Sequence, residues 1–199
     1  MEKAARVKPT PLVAEEALEK QGVLEAAKMM LVSARTAPKT GGVDDIVLGL
    51  VDGNGLESIA KTMDDIGDER SIDGFHRDAE NVRDSDAVVL IGVRGGKKYG
   101  LDCGACGYAT CDEFEQAERV QGLDFTGPTC LAKALDLGIA LGSAAKTASI
   151  LNVDNRIMYR IGVAAVRLGM LPGATVIIGI PLSSKGKSIY YDRTWPQKK

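Results

Sequence analysis

Hydrophobic and polar positions follow two periods along this chain. From Pro11 to Arg35 the residues are mainly Ala, Leu, Glu, Lys and Met, which lose little rotamer freedom in a helix. Leu24, Ala27, Leu31 and Ala34 recur at helical spacing and predict one apolar stripe, with a break at Gly22 and a stop before Pro38. The run Asp45 to Val51 predicts a strand, closed by a turn at Asp52-Gly53-Asn54-Gly55. Helical spacing returns from Leu56 to Ile66 through Leu56, Ile59, Ala60 and Met63, and a polar helical stretch follows at Asp73 to Arg83. Ala87 to Val93 and Ala174 to Ile180 read as two further strands. All three strands are apolar on both faces, as suits a sheet covered by helices on both sides. Between the second and third lie a short helix from Asp112 to Val120, a long one from Leu131 to about Leu151, and another from Arg156 to Leu168. The tail after Pro181 reads as short and polar.

The chain has 199 residues, which fits one domain spanning 1–199. Apolar residues make up 45% and charged residues 26%, which excludes a wholly disordered or fibrous chain. The formal net charge of −2 offers no basic field to nucleic acid, and aromatics at 5% leave little material for base stacking. No apolar run reaches the ~20 residues of a membrane helix. Met1 to Thr10 lacks the apolar core of a secretory signal, so the expected location is cytoplasmic, with neither a nucleic-acid nor a membrane partner.

Chemistry is concentrated in one stretch. The four cysteines are Cys103, Cys106, Cys111 and Cys130. In a reducing compartment such a cluster binds metal more often than it forms disulfides. Thiolates are soft ligands that suit iron–sulfur clusters and zinc. Three close ligands and a remote fourth can wrap a compact inorganic core, and Gly104 and Gly107 allow the loop to curl around it. Structural zinc usually takes two paired knuckles or a Cys/His mix; here a second pair is missing and the lone histidine, His76, is distant in sequence. Iron–sulfur, zinc and metal-free thiols are the three readings, and the spacing favours the first. Residues 102–131 thus read as an insert with its own function.

The run Cys103-Gly104-x-Cys106-Gly107-Tyr108-x-x-Cys111-x-x-Phe114, with Cys130 further on, resembles four-iron–four-sulfur (4Fe-4S) domains of electron-transfer subunits and of corrinoid iron–sulfur proteins. Those domains usually place proline after the fourth cysteine, where this chain has Leu131. The whole chain also resembles a family of ferredoxin-domain proteins of anaerobic microbes. That resemblance runs through Ser33-Ala-Arg35-Thr36-Ala-Pro38-Lys39, Arg77-Asp78, the cysteine loop and Gly186-Lys187-Ser188-Ile189-Tyr190-Tyr191-Asp192-Arg193. The order of elements is similar to that of FMN-dependent nitroreductases, in which a long helix leads to a flavin-contacting loop and then a strand.

The resemblance implies an α+β fold of three layers: a central mixed sheet with helices on both faces and an inserted cysteine-rich loop. It implies a 4Fe-4S cluster on Cys103, Cys106, Cys111 and Cys130. It further implies FMN held by Arg35, Thr36, Lys39, Thr40, Lys185 and Lys187 in a homodimer, with electrons passed between a redox partner protein and a small-molecule substrate. Nitroreductases usually carry Arg-Arg-Ser near the N-terminus for the flavin phosphate; this chain has only Arg6 there. The residues themselves leave a second reading open for Arg35 and Lys39, as cations at a helix C-terminus. The alternatives to a flavin enzyme are a flavin-free electron-transfer or sensing module and a structural zinc protein.

The remaining features carry less. Gly186-Lys187-Ser188 mimics the end of a phosphate-binding loop, but Pro181 stands where its first glycine is required. Gly138 and Gly142 predict a tight helix crossing in the core or at a dimer seam. His76 reads as a surface or structural residue, Asp44-Asp45 and Asp64-Asp65 as caps or solvated charges, and Trp195 as a tail residue.

Overall fold

The computed structural model describes residues 14–191; Arg6, Asp192, Arg193 and Trp195 lie outside them. The first helix, α1 (Glu15–Thr36), ends in a turn at Thr40–Gly42 and leads into β1 (Ile46–Asp52). A helical hairpin of α2 (Asn54–Arg70) and α3 (Asp73–Arg83) leads to β2 (Ala87–Val93). The chain then makes an excursion containing α4 (Cys111–Gln116) and a small hairpin of β3 (Val120–Gln121) and β4 (Thr126–Gly127). The long helix α5 (Leu131–Ile150), β5 (Asp154–Asn155), α6 (Tyr159–Arg167) and β6 (Val176–Ser183) complete the body.

The main sheet has the order β1-β2-β6-β5, and every pairing in it is antiparallel, where a mixed sheet is expected. The α2–α3 hairpin explains the first reversal. It turns at Ser71, which adopts left-handed backbone, and returns the chain to the sheet end it left, so that Ala87 pairs with Asp52. The α+β class and the helix-covered sheet agree with the expectation.

Strand β2 is buried at every position. Its side chains alternate between two cores, as the period of a strand requires. Val88 and Leu90 face α2, α3 and α6, with Ile59, Met63, Phe75, Ile161 and Ile177 around them. Val89, Ile91 and Val93 face α1 and α5, through Val23, Ala27, Met30, Leu137, Ala140 and Ala144. Helix α1 runs unbroken through Gly22: glycine costs roughly 1 kcal/mol in a helix but does not end one flanked by strong helix formers. Its buried stripe is Val23, Ala26, Ala27, Met30 and Ala34; Ala27 and Ala34 are as expected, while Val23 and Met30 take the places expected of their neighbours Leu24 and Leu31.

Other boundaries shift for tertiary reasons. Helix α6 starts at Tyr159 because Met158 is captured by Gly179: its amide donates to the Gly179 carbonyl at 2.8 Å, and the Gly179 amide donates back at 3.2 Å. The same alternation aims the nitrogen of Pro181 away from β2, so β6 continues through it to Ser183. Gly138 and Gly142 lie on an exposed face of α5, and among the described residues nothing packs on them, so the core crossing is not seen there. Among the described residues no helix is long and apolar enough to cross a membrane.

Helix α6 packs directly on β6 at Gly162, where a Cβ would overlap the carbonyl of Ile177. The neighbour is backbone and cannot swing aside. Gly162→Ala is expected to destabilise the fold by about 2–3 kcal/mol, read as a lowered urea midpoint with an unchanged slope.

Candidate metal centre

The excursion from β2 to α5 is closed at its base. The amide of Cys130 donates to the carbonyl of Gly95 at 2.8 Å, bringing the two ends of the segment together. The guanidinium of Arg119 donates to the carbonyls of Pro128 at 2.8 Å, Gly96 at 2.7 Å and Phe114 at 2.9 Å, and stacks 4.5 Å from the Phe114 ring centroid. Phe114 is buried, and the Tyr108 ring meets it edge-on at 5.9 Å. Helix α4 ends at Gln116, short of the expected Val120, because Ala117 turns extended and Val120–Gln121 pair with Thr126–Gly127.

Within this lobe the four cysteines line one cavity. Its walls include Tyr99, Leu101, Tyr108, Phe114 and Ala132, and the cavity is narrow, with a volume of about 10 Å³. Cys103 is exposed, Cys106 and Cys111 are half-buried and Cys130 is buried; all four are free thiols. The local backbone is built to bring them there. Gly104 and Gly107 take φ of +71° and +90°, closing a turn through a Gly107 amide to Gly104 carbonyl bond of 2.9 Å. Thr110 caps α4 by accepting the Glu113 amide at 3.2 Å, which places Cys111 in its first turn. The Asp102 amide donates to the Cys111 sulfur at 3.3 Å, and the Cys111 amide donates to the Asp102 carboxylate at 2.6 Å. Cys130 is the N-cap residue of α5. Among the described residues no three His, Cys, Asp or Glu side chains are gathered closely enough for a single metal ion.

The residues expected to hold a flavin phosphate fall into two groups. Lys39 is nearly buried, and its ammonium donates to the carbonyls of Arg35, Ala37 at 2.9 Å and Ala34 at 3.4 Å, closing the C-terminus of α1. Arg35 donates to Asp44 at 2.6 Å and to the Ile46 carbonyl at 2.9 Å. Burial pushes the Asp44 carboxyl up, but the Arg35 hydrogen bond and charge outweigh it and hold the group below its ordinary range. The Thr36 hydroxyl donates to the Val32 carbonyl within the helix, and Thr40 gives both its amide and hydroxyl to Asp136 at 2.8 Å. Lys185 and Lys187 follow β6, where Ser183 pairs with Asp154, at the sheet end opposite Ile46. The Lys185 ammonium lies 3.6 Å from Asp84. One chain does not bring the two groups together.

Several polar residues at the site carry no clear mark in the sequence. Asp45 reads as a solvated charge but is 7% exposed and pairs with fully buried Lys133 at 2.7 Å. Burial pushes Asp45 up, yet Lys133 and Lys97 hold it below its ordinary value. The available signal is that Lys133 sits on the same helical stripe as Leu137, Ala140 and Ala144, where an apolar residue is expected. His76 is part-exposed and bonded to Asp64 at 2.9 Å, which raises its pKa, as a structural surface residue.

A family model described as "Uncharacterized protein containing a ferredoxin domain (DUF2148)" matches residues 126–193, a span that includes Cys130 but not the other three cysteines. An Archaeoglobus fulgidus protein described as "Uncharacterized protein" is 49% identical over 187 residues, covering 94% of this chain and 100% of that protein. The fold is similar to that of nitroreductase CinD from Lactococcus lactis in complex with chloramphenicol (TM-score 0.56, 12% identity, 88% of this chain and 81% of that one). It is also similar to a nitroreductase-type protein of Desulfovibrio desulfuricans in complex with FMN (TM-score 0.52, 12% identity, 85% and 78%). Nitroreductase A of Vibrio parahaemolyticus matches with TM-score 0.51 and 13% identity, and this chain covers 82% of itself but 59% of that protein.

Two outcomes test how the lobe is held. Arg119→Gln leaves carbonyls without their donor, each worth about 1–3 kcal/mol when desolvated; faster amide hydrogen exchange across 111–130 is expected, with β2 unchanged. The lobe hairpin is also tied to the body through Asp124, which takes Arg70 at 2.5 Å and the Tyr159 hydroxyl at 2.7 Å. Burial pushes Asp124 up, but these partners hold it below 3.8. Its stabilising share is complete above pH about 4 and is lost as pH falls through the lowered pKa. The urea-midpoint gap between wild type and Asp124→Asn should shrink below pH about 4.

Proposed function

The chain belongs to one family with the Archaeoglobus fulgidus protein, matches the ferredoxin-domain model over residues 126–193 and has a nitroreductase-like α+β fold, and on that premise we propose that it is an iron–sulfur redox protein. The observation that carries this reading is the cavity lined by Cys103, Cys106, Cys111 and Cys130. Four soft donors lining one cavity, three of them from a single glycine-bearing loop, suit an iron–sulfur cluster, and zinc is the alternative guest that thiolates accept. Cys103, Cys106 and Cys111 would hold a 4Fe-4S cluster from the loop and α4, and Cys130 from the start of α5. Such a cluster supplies one-electron transfer when bound. The chain's own groups then have definite tasks. The Asp102 amide points at the Cys111 sulfur, Tyr108 and Phe114 shield the inner wall from water, and Arg119 keeps the lobe shut.

The flavin half of the reading rests on the fold, since a structural neighbour carries FMN. Arg35 and Lys39 are committed to the end of α1, and Lys185 and Lys187 stand at the far end of the sheet. These residues make no phosphate cradle within one chain, so FMN in this protein requires a second copy. The exposed apolar residues Leu131, Leu135 and Ile139 of α5, beside Gly138 and Gly142, suit such a pairing. The commitment of the cations favours a second reading, a flavin-free electron-transfer or sensing module.

Protein purified without oxygen decides among these. Iron and acid-labile sulfide near four of each per chain, lost in Cys106→Ser, are expected. Stoichiometric flavin together with a dimer by light scattering supports the oxidoreductase; iron without flavin supports the electron carrier. Zinc alone, or full iron retained in Cys106→Ser, overturns the ligand assignment.

A further inference from the structure

Lys133 is fully buried on α5, one turn beyond Cys130. Its ammonium lies 2.7 Å from Asp45 Oδ2, an ion pair without hydrogen-bond alignment, and 5.5 Å from the ring centroid of Tyr99. That ring is a wall of the cysteine cavity, as are Leu131 and Ala132 beside Lys133 in the chain. Asp45 has a second, exposed cation, Lys97, at 3.3 Å. One turn further along α5, Asp136 is 2% exposed; Thr40 binds one of its oxygens and the other has no partner.

A buried ion pair is a poor stabiliser, because desolvation offsets the attraction, and apolar side chains of similar size often serve as well. The placement of this pair beside the cavity suits another role. We propose that the Lys133–Asp45 pair sets the electron affinity of the group held by the four cysteines, with the cationic end turned toward the Tyr99 wall. This rests on the iron–sulfur reading above. A cluster bound by thiolates is anionic, and reduction adds one further negative charge. A fixed cation close by, in a medium of low dielectric, favours the reduced form. Asp45 fixes the position of the Lys133 ammonium beside the Tyr99 ring. Because both groups are buried, salt screens the effect weakly. Lys133 is thus a positioning charge rather than a ligand.

The test is the midpoint potential of the reconstituted protein, followed optically in a redox titration, with iron counted in the same samples. Lys133→Gln and Lys133→Met should retain iron and shift the potential to more negative values, whereas Lys133→Arg should stay near wild type. The double variant Lys133→Met/Asp45→Leu replaces the pair by apolar groups and keeps the measurement available if the single variants fail to fold. It too should titrate at a more negative potential. A charge-removing variant with full iron and an unchanged potential overturns the proposal and leaves the iron–sulfur reading intact. Wild-type protein that takes up no iron or sulfide overturns both.

Discussion

The geometry of the cysteine lobe depends on Arg119. A segment of more than thirty residues leaves the end of β2 and returns to the start of α5 with little regular structure of its own. Its cohesion comes from one planar cation that spans three carbonyls and covers an aromatic ring. The fixed fork of guanidinium suits this task better than a lysine would, since it reaches several acceptors without reorienting. With that clamp in place, Gly95 meets Cys130, Phe114 is sealed under the lobe, and the three loop thiols share one cavity with the more distant Cys130.

The lobe is fused to the body by shared elements rather than a linker. Cys130 ends the lobe and begins α5, whose next turns carry Lys133 and Asp136 into the body. Tyr99 has a double contact: it lines the cysteine cavity, and its hydroxyl packs on Gly41, so closely that a Cβ there would overlap it. The cavity and the loop after α1 are therefore neighbours through a single ring. Tyr99 also stands 5.5 Å from the Lys133 ammonium, which pairs with Asp45 just before β1.

Much of this was legible in the residues. Ala87–Val93 reads as a strand because it is apolar without interruption, and Asp73–Arg83 as a helix from its spacing; both have the expected bounds. The grouping of four cysteines with two glycines marks the lobe. What the pattern could not carry was tertiary in origin. Strand sense is decided by whether a connection returns to the end it left, and the α2–α3 hairpin does so. Asp45 reads as a solvated charge in sequence and becomes half of a buried pair only when the start of β1 meets α5. Arg35 and Lys39 suit a bound anion or a helix end equally well in sequence, and in the fold they are bonded to the latter.

The four thiols differ in their contact with solvent: Cys103 is exposed and Cys130 buried, with Cys106 and Cys111 between them. Accessibility governs which sulfur an oxidant reaches, and overoxidised sulfur no longer ligates. Damage by air would thus begin at one corner of the site and advance inward, with the sulfur at the head of α5 the last to be lost.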